Sequence, residues 1–346
     1  MHRLWHSNIG RLLLFLFLGG LLFLASNRVD ELRVYQGATL AMYVVAISSL
    51  ILLTGYSGQV SLGHGALLAI GGYAAALARI HFSAPIWLCF VIAIIVAALA
   101  GAVLGTAAAR LSGPYLAGTT LALAVGLPSI ANQFGFLGGE QGLLFDVGMP
   151  PARLGSTFSP YKWYFWIAGV AALVSIWSLQ NILRSRFGRT WRAVRDNEVA
   201  AELAGIHVGK AKTLAFTVSA GLAGLAGALL AMTISTVSPS AFPLALSFSL
   251  LTGAVLSGVT TLPGVMIGAL TLVAMPEIAD AISRRFASAD NVTTNLPGLL
   301  VSALLVLVVL LVPNGPVEQW RRVRARKGAN THQQLGHIPP SMEGHT

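Results

Sequence analysis

Apolar residues run through this chain in long unbroken stretches, near 11–26, 36–54, 60–78, 85–109, 114–134, 163–183, 211–232, 243–261, 264–282 and 295–312, with short polar intervals between them. Each stretch approaches the about 20 residues that a helix needs to cross a bilayer. The pattern predicts an all-α polytopic membrane protein with about ten transmembrane helices immersed in membrane lipid. The stretches at 60–78, 243–261 and 264–282 are rich in Gly, Pro and Ser. Some of these are therefore expected to be half-helices or re-entrant segments, which a membrane tolerates where protein or water surrounds the broken backbone. The basic start, Met1 to Arg11, followed by apolar Leu12 to Ala25, has the look of a signal peptide. Further spans follow at once, with no small-residue cleavage site ahead of a soluble region, so it is expected to be the first span.

One interval breaks the apolar rhythm. Arg184 to Lys212, RSRFGRTWRAVRDNEVAAELAGIHVGKAK, is a polar island. Phe187 to Arg195 reads as a short helix, Asn197 or Asp196 can cap a second, and Gly205 can end that second helix in the left-handed conformation. On the second helix Val199, Leu203 and Ile206 fall at i, i+4 and i+7, an apolar stripe flanked by Glu198 and Glu202. A stripe of that kind outside the bilayer seeks a partner, although a basic loop that merely obeys topology rules would have the same charge.

Composition agrees with the hydropathy pattern. With 55% hydrophobic and 10% charged residues and a mean hydropathy of +0.74, too few polar residues exist to cover a soluble globule. The net charge of +10 does not indicate nucleic acid, because the basic residues flank apolar stretches and form no patch with aromatics. With ten spans and a cytoplasmic N-terminus, Arg3, Arg11, Arg110, the island and the Arg321–Lys327 tail all fall on the cytoplasmic side, as the positive-inside rule requires. Both termini are then cytoplasmic, and the polar tail after Lys327 is expected to be disordered. The lone Cys89 offers neither a disulfide nor a zinc spacing, so no cofactor is expected.

Absences narrow the mechanism. Between Glu31 and Glu140 the chain has no acidic residue, although four spans are expected there, whereas a gradient-driven carrier normally needs an intramembrane carboxylate or a similar ion site. The stretch Gly205-Ile-His-Val-Gly209-Lys210-Ala has the wrong glycine spacing for a phosphate loop and no Ser or Thr after the lysine. No His, Asp or Cys cluster suggests a membrane-embedded enzyme. Small residues four apart, Gly101 and Gly105, Gly264 and Gly268, and Ala220, Gly224 and Ala228, indicate close helix packing in a bundle.

The most individual intramembrane stretch is Thr54 to Ala78, TGYSGQVSLGHGALLAIGGYAAALA. Ser57, Gln59, Ser61 and His64 stand among closely spaced glycines, so they can line a cavity from which lipid is excluded; a lone histidine there is more often a packed, hydrogen-bonded residue than a proton relay. This stretch resembles the GY-x-GQ-x-SLGH signature of the integral membrane permease of the high-affinity branched-chain amino-acid ABC importers, the LivM-type family. Gly113-Pro-Tyr-Leu-Ala-Gly-Thr-Thr-Leu-Ala, Gly138-Gly-Glu-Gln-Gly142, Phe187-Gly-Arg, Ala193-Val-Arg, Ala200-Ala-Glu, Ala204-Gly-Ile, Val237-Ser-Pro-Ser and Val312-Pro-Asn-Gly follow in the family's order, so the resemblance covers about 36–316.

The resemblance implies a permease domain over 1–316 and a cytoplasmic tail over 317–346 in a bacterial inner membrane. It implies that 184–212 engages separate ABC ATPase subunits, with Asn197, Glu198, Val199, Ala201, Glu202, Leu203, Gly205 and Ile206 as the coupling helix. A second homologous permease subunit and a periplasmic or lipid-anchored solute-binding protein are implied as further partners. Ser57, Gln59, Ser61 and His64 are expected to border the translocation path. The chain departs from the family pattern at Gly126-Leu-Pro128, at Ser249 and at Ser257-Gly-Val-Thr-Thr261, which leaves leucine, isoleucine or valine beside urea, amides and other small solutes as cargo.

Overall fold

A computed structural model of the chain describes residues 19–20, 28–111, 113–148, 150–151, 158–258, 262–286, 302–303 and 306–307. Apart from the four residues 19–20 and 302–303 and the pair 306–307, the expected first span at 11–26, the last at 295–312 and the tail at 317–346 lie outside the described residues, as do 259–261 of the Ser257–Thr261 turn.

An apolar chain in lipid must satisfy its backbone from within, and helices do this locally. In order the elements are α1 Glu31–Leu50, continued by a π-helical turn Ile51–Tyr56, then α2 His64–Phe82, α3 Ile86–Ala108, α4 Pro114–Gln133, β1 Leu143–Leu144, α5 Pro160–Arg184, α6 Arg186–Asp196, α7 Glu198–Leu203, α8 Val208–Ile234, β2 Thr236–Val237, α9 Leu244–Ser257 and α10 Val265–Phe286. Among the described residues 7 helices are long and apolar enough to cross a membrane, and α10 contains a shorter apolar stretch, Val265–Ile278. The coarse expectation of an all-α polytopic membrane protein is met; the described residues carry these spans of the ten expected.

The stretch at 60–78 is not itself a half-helix, since α2 runs for 19 residues; its glycines open an irregular segment, 57–63, between the π-helical turn and α2. The stretch at 243–261 is composite: the 14-residue α9 follows a 3₁₀ turn Pro239–Ala241 and Phe242, whose ring packs at Gly72, and only the whole run Pro239–Ser257, 19 residues, reaches span length.

At the centre α8 is buried from Ser219 to Leu229 apart from Leu222. The small residues that predicted close packing meet each other here. Any Cβ on Gly71 would collide with the backbone of Gly224, one on Gly227 with the carbonyl of Leu68, and one on Gly101 with Ala220, so α2 and α3 both lie directly on α8. Gly105 meets Thr213 while Gly101 meets Ala220, so α3 runs antiparallel to α8. On the other flank Gly253 faces Ile47 and Gly268 faces the carbonyl of Gly253, tying α9 and α10 to α1.

The loops sort to two ends of the bundle. One end carries 55–63, Arg110 and the polar island. The other carries a two-stranded antiparallel ladder, Leu143 opposite Val237 and Leu144 opposite Thr236, closed by the Phe145 amide donating to the Ser235 carbonyl at 3.0 Å. Arg79 locks that end by donating to the carbonyls of Asp146 at 2.8 Å and Ala84 at 3.0 Å.

Candidate functional site

The polar island folds as the sequence indicates, by local capping. Ser185 separates α5 from α6; its Oγ accepts from the Phe187 amide at 3.2 Å and donates to the Ile182 carbonyl at 2.6 Å. Gly188 makes the sharp turn possible, since a Cβ there would press into the Leu183 carbonyl. On α6 the buried residues Gly188, Trp191 and Val194 recur every third position, and the Trp191 indole donates to the Ala211 carbonyl at 3.0 Å, fastening α6 to the start of α8.

Asn197 is both the end of α6 and the N-cap of α7, its Oδ1 accepting from the Ala200 amide at 3.0 Å. At the far end Gly205 takes φ +83°, its amide donates to the Glu202 carbonyl at 2.9 Å and the Ile206 amide to Ala201 at 3.0 Å. That pair of bonds is the Schellman arrangement, which requires a left-handed residue and so favours glycine. On α7 Ala201 is buried and faces the chain's own bundle, Ile206 is half-buried, and Val199 and Leu203 are 68% and 86% exposed. Two of the three stripe positions therefore face outward with Glu202, while Glu198 is committed elsewhere.

Glu198 pairs with Lys212 at 2.7 Å, and the lysine side chain is only 7% exposed against 51% for the glutamate. Lys212 also uses its carbonyl: the Gln59 side-chain amide donates to it at 3.2 Å and to Ser57 Oγ at 2.7 Å. Arg195, from the end of α6, donates to the Gly55 carbonyl at 2.6 Å, while its other donors reach Asp196. Gly58, at φ +73°, lies under the Arg195 stem, and a Cβ there would stand 2.8 Å from its Cγ. The island and the GYSGQVSLGH stretch are thus one structure, held by two hydrogen bonds across 140 and 153 residues of sequence, Arg195 to the Gly55 carbonyl and Gln59 to the Lys212 carbonyl, with the Glu198–Lys212 pair bracing the island behind them.

Beyond Gln59 the segment turns into the bundle. The Leu62 amide donates to Thr120 Oγ1 at 3.0 Å on α4, and the Gly65 amide to Ser247 Oγ at 2.9 Å on α9. Gly63 lies so close to the Thr120 carbonyl that no side chain fits. Ser49 Oγ donates to the Ala46 carbonyl at 2.6 Å and stands 2.7 Å from His64 Nε2. The single serine proton being spent, Nε2 carries the imidazole proton and Nδ1 is a bare acceptor.

All four sequence-picked residues, Ser57, Gln59, Ser61 and His64, are buried within this chain. Gln59 Oε1, Ser61 Oγ and His64 Nδ1 have no hydrogen-bond partner among the described residues. An orphaned buried polar atom costs about 1–3 kcal/mol, so three along one short segment mark a place kept polar against stability. No group of His, Cys, Asp or Glu among the described residues could hold a metal ion.

Sequence reasoning did not single out Arg195, Lys212, Ser49, Thr120, Ser247 or Ser219, whose hydroxyl donates to the Ser49 carbonyl at 2.7 Å, as parts of this site. A signal existed for two of them: Thr120 lies in the Gly-Thr-Thr-Leu-Ala run and Arg195 in the Ala193-Val-Arg run that aligned with the family pattern.

Comparison with known proteins adds the family. The family described as "Branched-chain amino acid transport system / permease component" matches residues 34–310. The chain is 31% identical over 316 residues to the high-affinity branched-chain amino acid transport system permease protein LivM of Escherichia coli K12, covering 84% of this chain and 72% of that protein. It is 29% identical over 191 residues to the corresponding permease protein LivH of Salmonella typhimurium, 55% of this chain and 54% of that one. The ribose import permease protein RbsC of Haemophilus influenzae is similar at 26% identity over 235 residues, 63% of this chain and 65% of that protein. No solved structure matches significantly. The matched span takes in α1 from Val34 and every described helix from α2 to α10, and the chain belongs to the family of permease components of branched-chain amino acid transport systems.

Proposed function

We propose that this chain is the transmembrane permease subunit of an ABC importer that carries branched-chain amino acids across the bacterial inner membrane, with ATP hydrolysed by a separate subunit that docks on α7. The single observation that carries the coupling part is the mounting of α7. Its inner face is fixed by Ala201, the Glu198–Lys212 pair and two caps, and its outer face leaves Val199 and Leu203 in solvent. A six-residue helix cannot hold itself together in water, so a rigid mount under an exposed apolar face suits a partner.

In this reading Asn197, Glu198, Val199, Ala201, Glu202, Leu203, Gly205 and Ile206 form the coupling element, and Arg195 and Lys212 carry its displacement to 55–59. Ser57, Gln59, Ser61 and His64 border the translocation path at the island end, where the three orphaned atoms would meet water or solute once the segment moves. A second homologous permease completes the pore, a periplasmic or lipid-anchored binding protein delivers the solute, and both termini and the 317–346 tail lie in the cytoplasm. The 1–316 region is the permease domain.

The test is Leu203→Asp. A buried leucine contributes about 2 kcal/mol to an interface, and a desolvated aspartate adds several more against it. The variant should lose co-purification with the ATPase or uncouple hydrolysis from leucine uptake, while Glu140→Gln at the opposite end leaves both unchanged. Full association and transport by Leu203→Asp would reduce α7 to a topology loop. Uptake of urea or an amide in place of leucine, isoleucine or valine would keep the machine and change its cargo.

A further inference from the structure

A second polar feature lies on the outside of the bundle, where the end of α3 meets the start of α8. A groove of about 490 Å³ is lined there by Thr106, Arg110, Lys210, Thr213, Leu214 and Thr217, with Ala109 and Gly209 in its floor. Arg110 and Lys210 are both exposed, and among the described residues no carboxylate lies within ion-pair distance of either. The threonine hydroxyls donate to their own helices or across to α3, Thr213 Oγ1 reaching the Gly105 carbonyl at 3.0 Å, so the walls are fixed.

The surface beyond the groove is apolar. On α3 the positions 99, 103 and 106 follow one another by four and three, a single helical stripe, and Arg110 stands four further on in the turn that ends the helix. Leu99 and Val103 are 63% and 70% exposed at its inner part, Thr106 follows, and Arg110 closes it. On α8 Lys210 and Leu214 repeat the order, cation at the end and exposed leucine one turn further in. Two helices therefore present the same gradient side by side, from a pair of cations to an uncovered hydrocarbon face.

We propose that this groove binds the headgroup of an anionic phospholipid, with the phosphate between Arg110 and Lys210 and an acyl chain along Val103 and Leu99. A soluble anion would use the cations but not the apolar stripe, whereas a lipid uses both, and basic pockets between transmembrane helices at the membrane boundary are suited to such headgroups. The site goes beyond the transport reading and does not depend on the solute; it requires only that residues 110 and 210 stand at the polar boundary of the bilayer. Lys210 lies in the first turn of α8, four residues after the coupling element ends at Ile206, so the bound lipid would brace the point where α7 hands over to the bundle.

The test is lipid retention by the full chain, co-expressed with its partner subunits, in nanodiscs of equal parts phosphatidylglycerol and phosphatidylcholine. Native mass spectrometry should find phosphatidylglycerol retained on the wild type. Arg110→Gln with Lys210→Gln should lower that retention about thirtyfold, from two cation contacts of ordinary strength. Arg28→Gln, an exposed cation elsewhere, should leave it unchanged. Three results would each overturn the proposal: equal retention in the double variant, displacement of the bound species by millimolar inorganic phosphate, or capture of a second permease subunit by a photo-crosslinker at Val103.

Discussion

Glu198 and Lys212 form an ion pair whose two ends live in different solvents, and that asymmetry makes a prediction with a definite sign. The lysine side chain is 7% exposed and the glutamate side chain 51%, with their charged ends 2.7 Å apart. At an effective dielectric of about 20 their attraction is about 6 kcal/mol, most of it offset by taking the lysine out of water. Glu198→Ala removes the counter-charge and strands a buried ammonium. A fully buried pair broken in this way loses about 3–5 kcal/mol; solvent around the half-exposed glutamate screens part of that field, so about 2 kcal/mol is expected. Lys212→Met removes the buried charge instead and leaves a carboxylate that water solvates, at a cost of about 0–1 kcal/mol. The double variant should resemble Lys212→Met, which is a coupling equal to the Glu198→Ala cost, about 2 kcal/mol in a double-mutant cycle. Equilibrium unfolding in mixed micelles at increasing dodecyl sulfate measures all four corners. A Lys212→Met cost equal to or above that of Glu198→Ala would refute the claim that the lysine is the desolvated partner.

Three further outcomes are expected. Gly63→Ala places a methyl group inside the Thr120 carbonyl, backbone against backbone, so overpacking of at least about 1–3 kcal/mol should cut membrane abundance; normal abundance and uptake would disprove the close approach. Asn197→Ala removes the α7 N-cap and should cost about 1 kcal/mol, read as about fivefold faster hydrogen exchange over residues 198–204, with unchanged exchange as the contrary result. Gln59→Leu removes the orphaned Oε1 together with the amide bonds to Ser57 Oγ and the Lys212 carbonyl, so leucine uptake should fall further than membrane abundance does; uptake that falls only in proportion to abundance would assign Gln59 to packing alone.

Much of this was legible in the order of residues because it is local. The helices α1 to α5 and α8 follow the apolar stretches, and the α6–α7 pair follows from Asn197 and Gly205, whose capping depends on neighbours within five positions. The glycines of α3 and α8 foretold contact, and Gly101 does meet Ala220. What the sequence left open is which distant groups the polar atoms find. Ser57 and Gln59 were readable as polar groups in need of company, but nothing near them in the chain names Lys212, 153 residues away, or Arg195 beside Gly55, 140 residues away. Glu198 looked like the flank of a docking stripe because its neighbours on α7 are apolar; its lysine partner belongs to the next helix. The ladder at 143–144 and 236–237 gave no signal either, for two residues per strand carry no period to detect.

The backbone contacts along α8 bear on how such a bundle can move. Where Gly71 meets Gly224 and Gly227 meets the Leu68 carbonyl, no side chains lie between the helices to change rotamer and absorb a displacement. The same holds where Gly101 abuts Ala220. Helices α2, α3 and α8 therefore travel as a single plank. The α4 helix differs: Gly118 and Gly126 face open space, and Pro128 removes one internal hydrogen bond and weakens the rod at that point. Of the helices that meet this plank, α4 is the one with a joint, so a shift of α4 would be taken up at its seam with the start of α2, where Gly63 lies against Thr120.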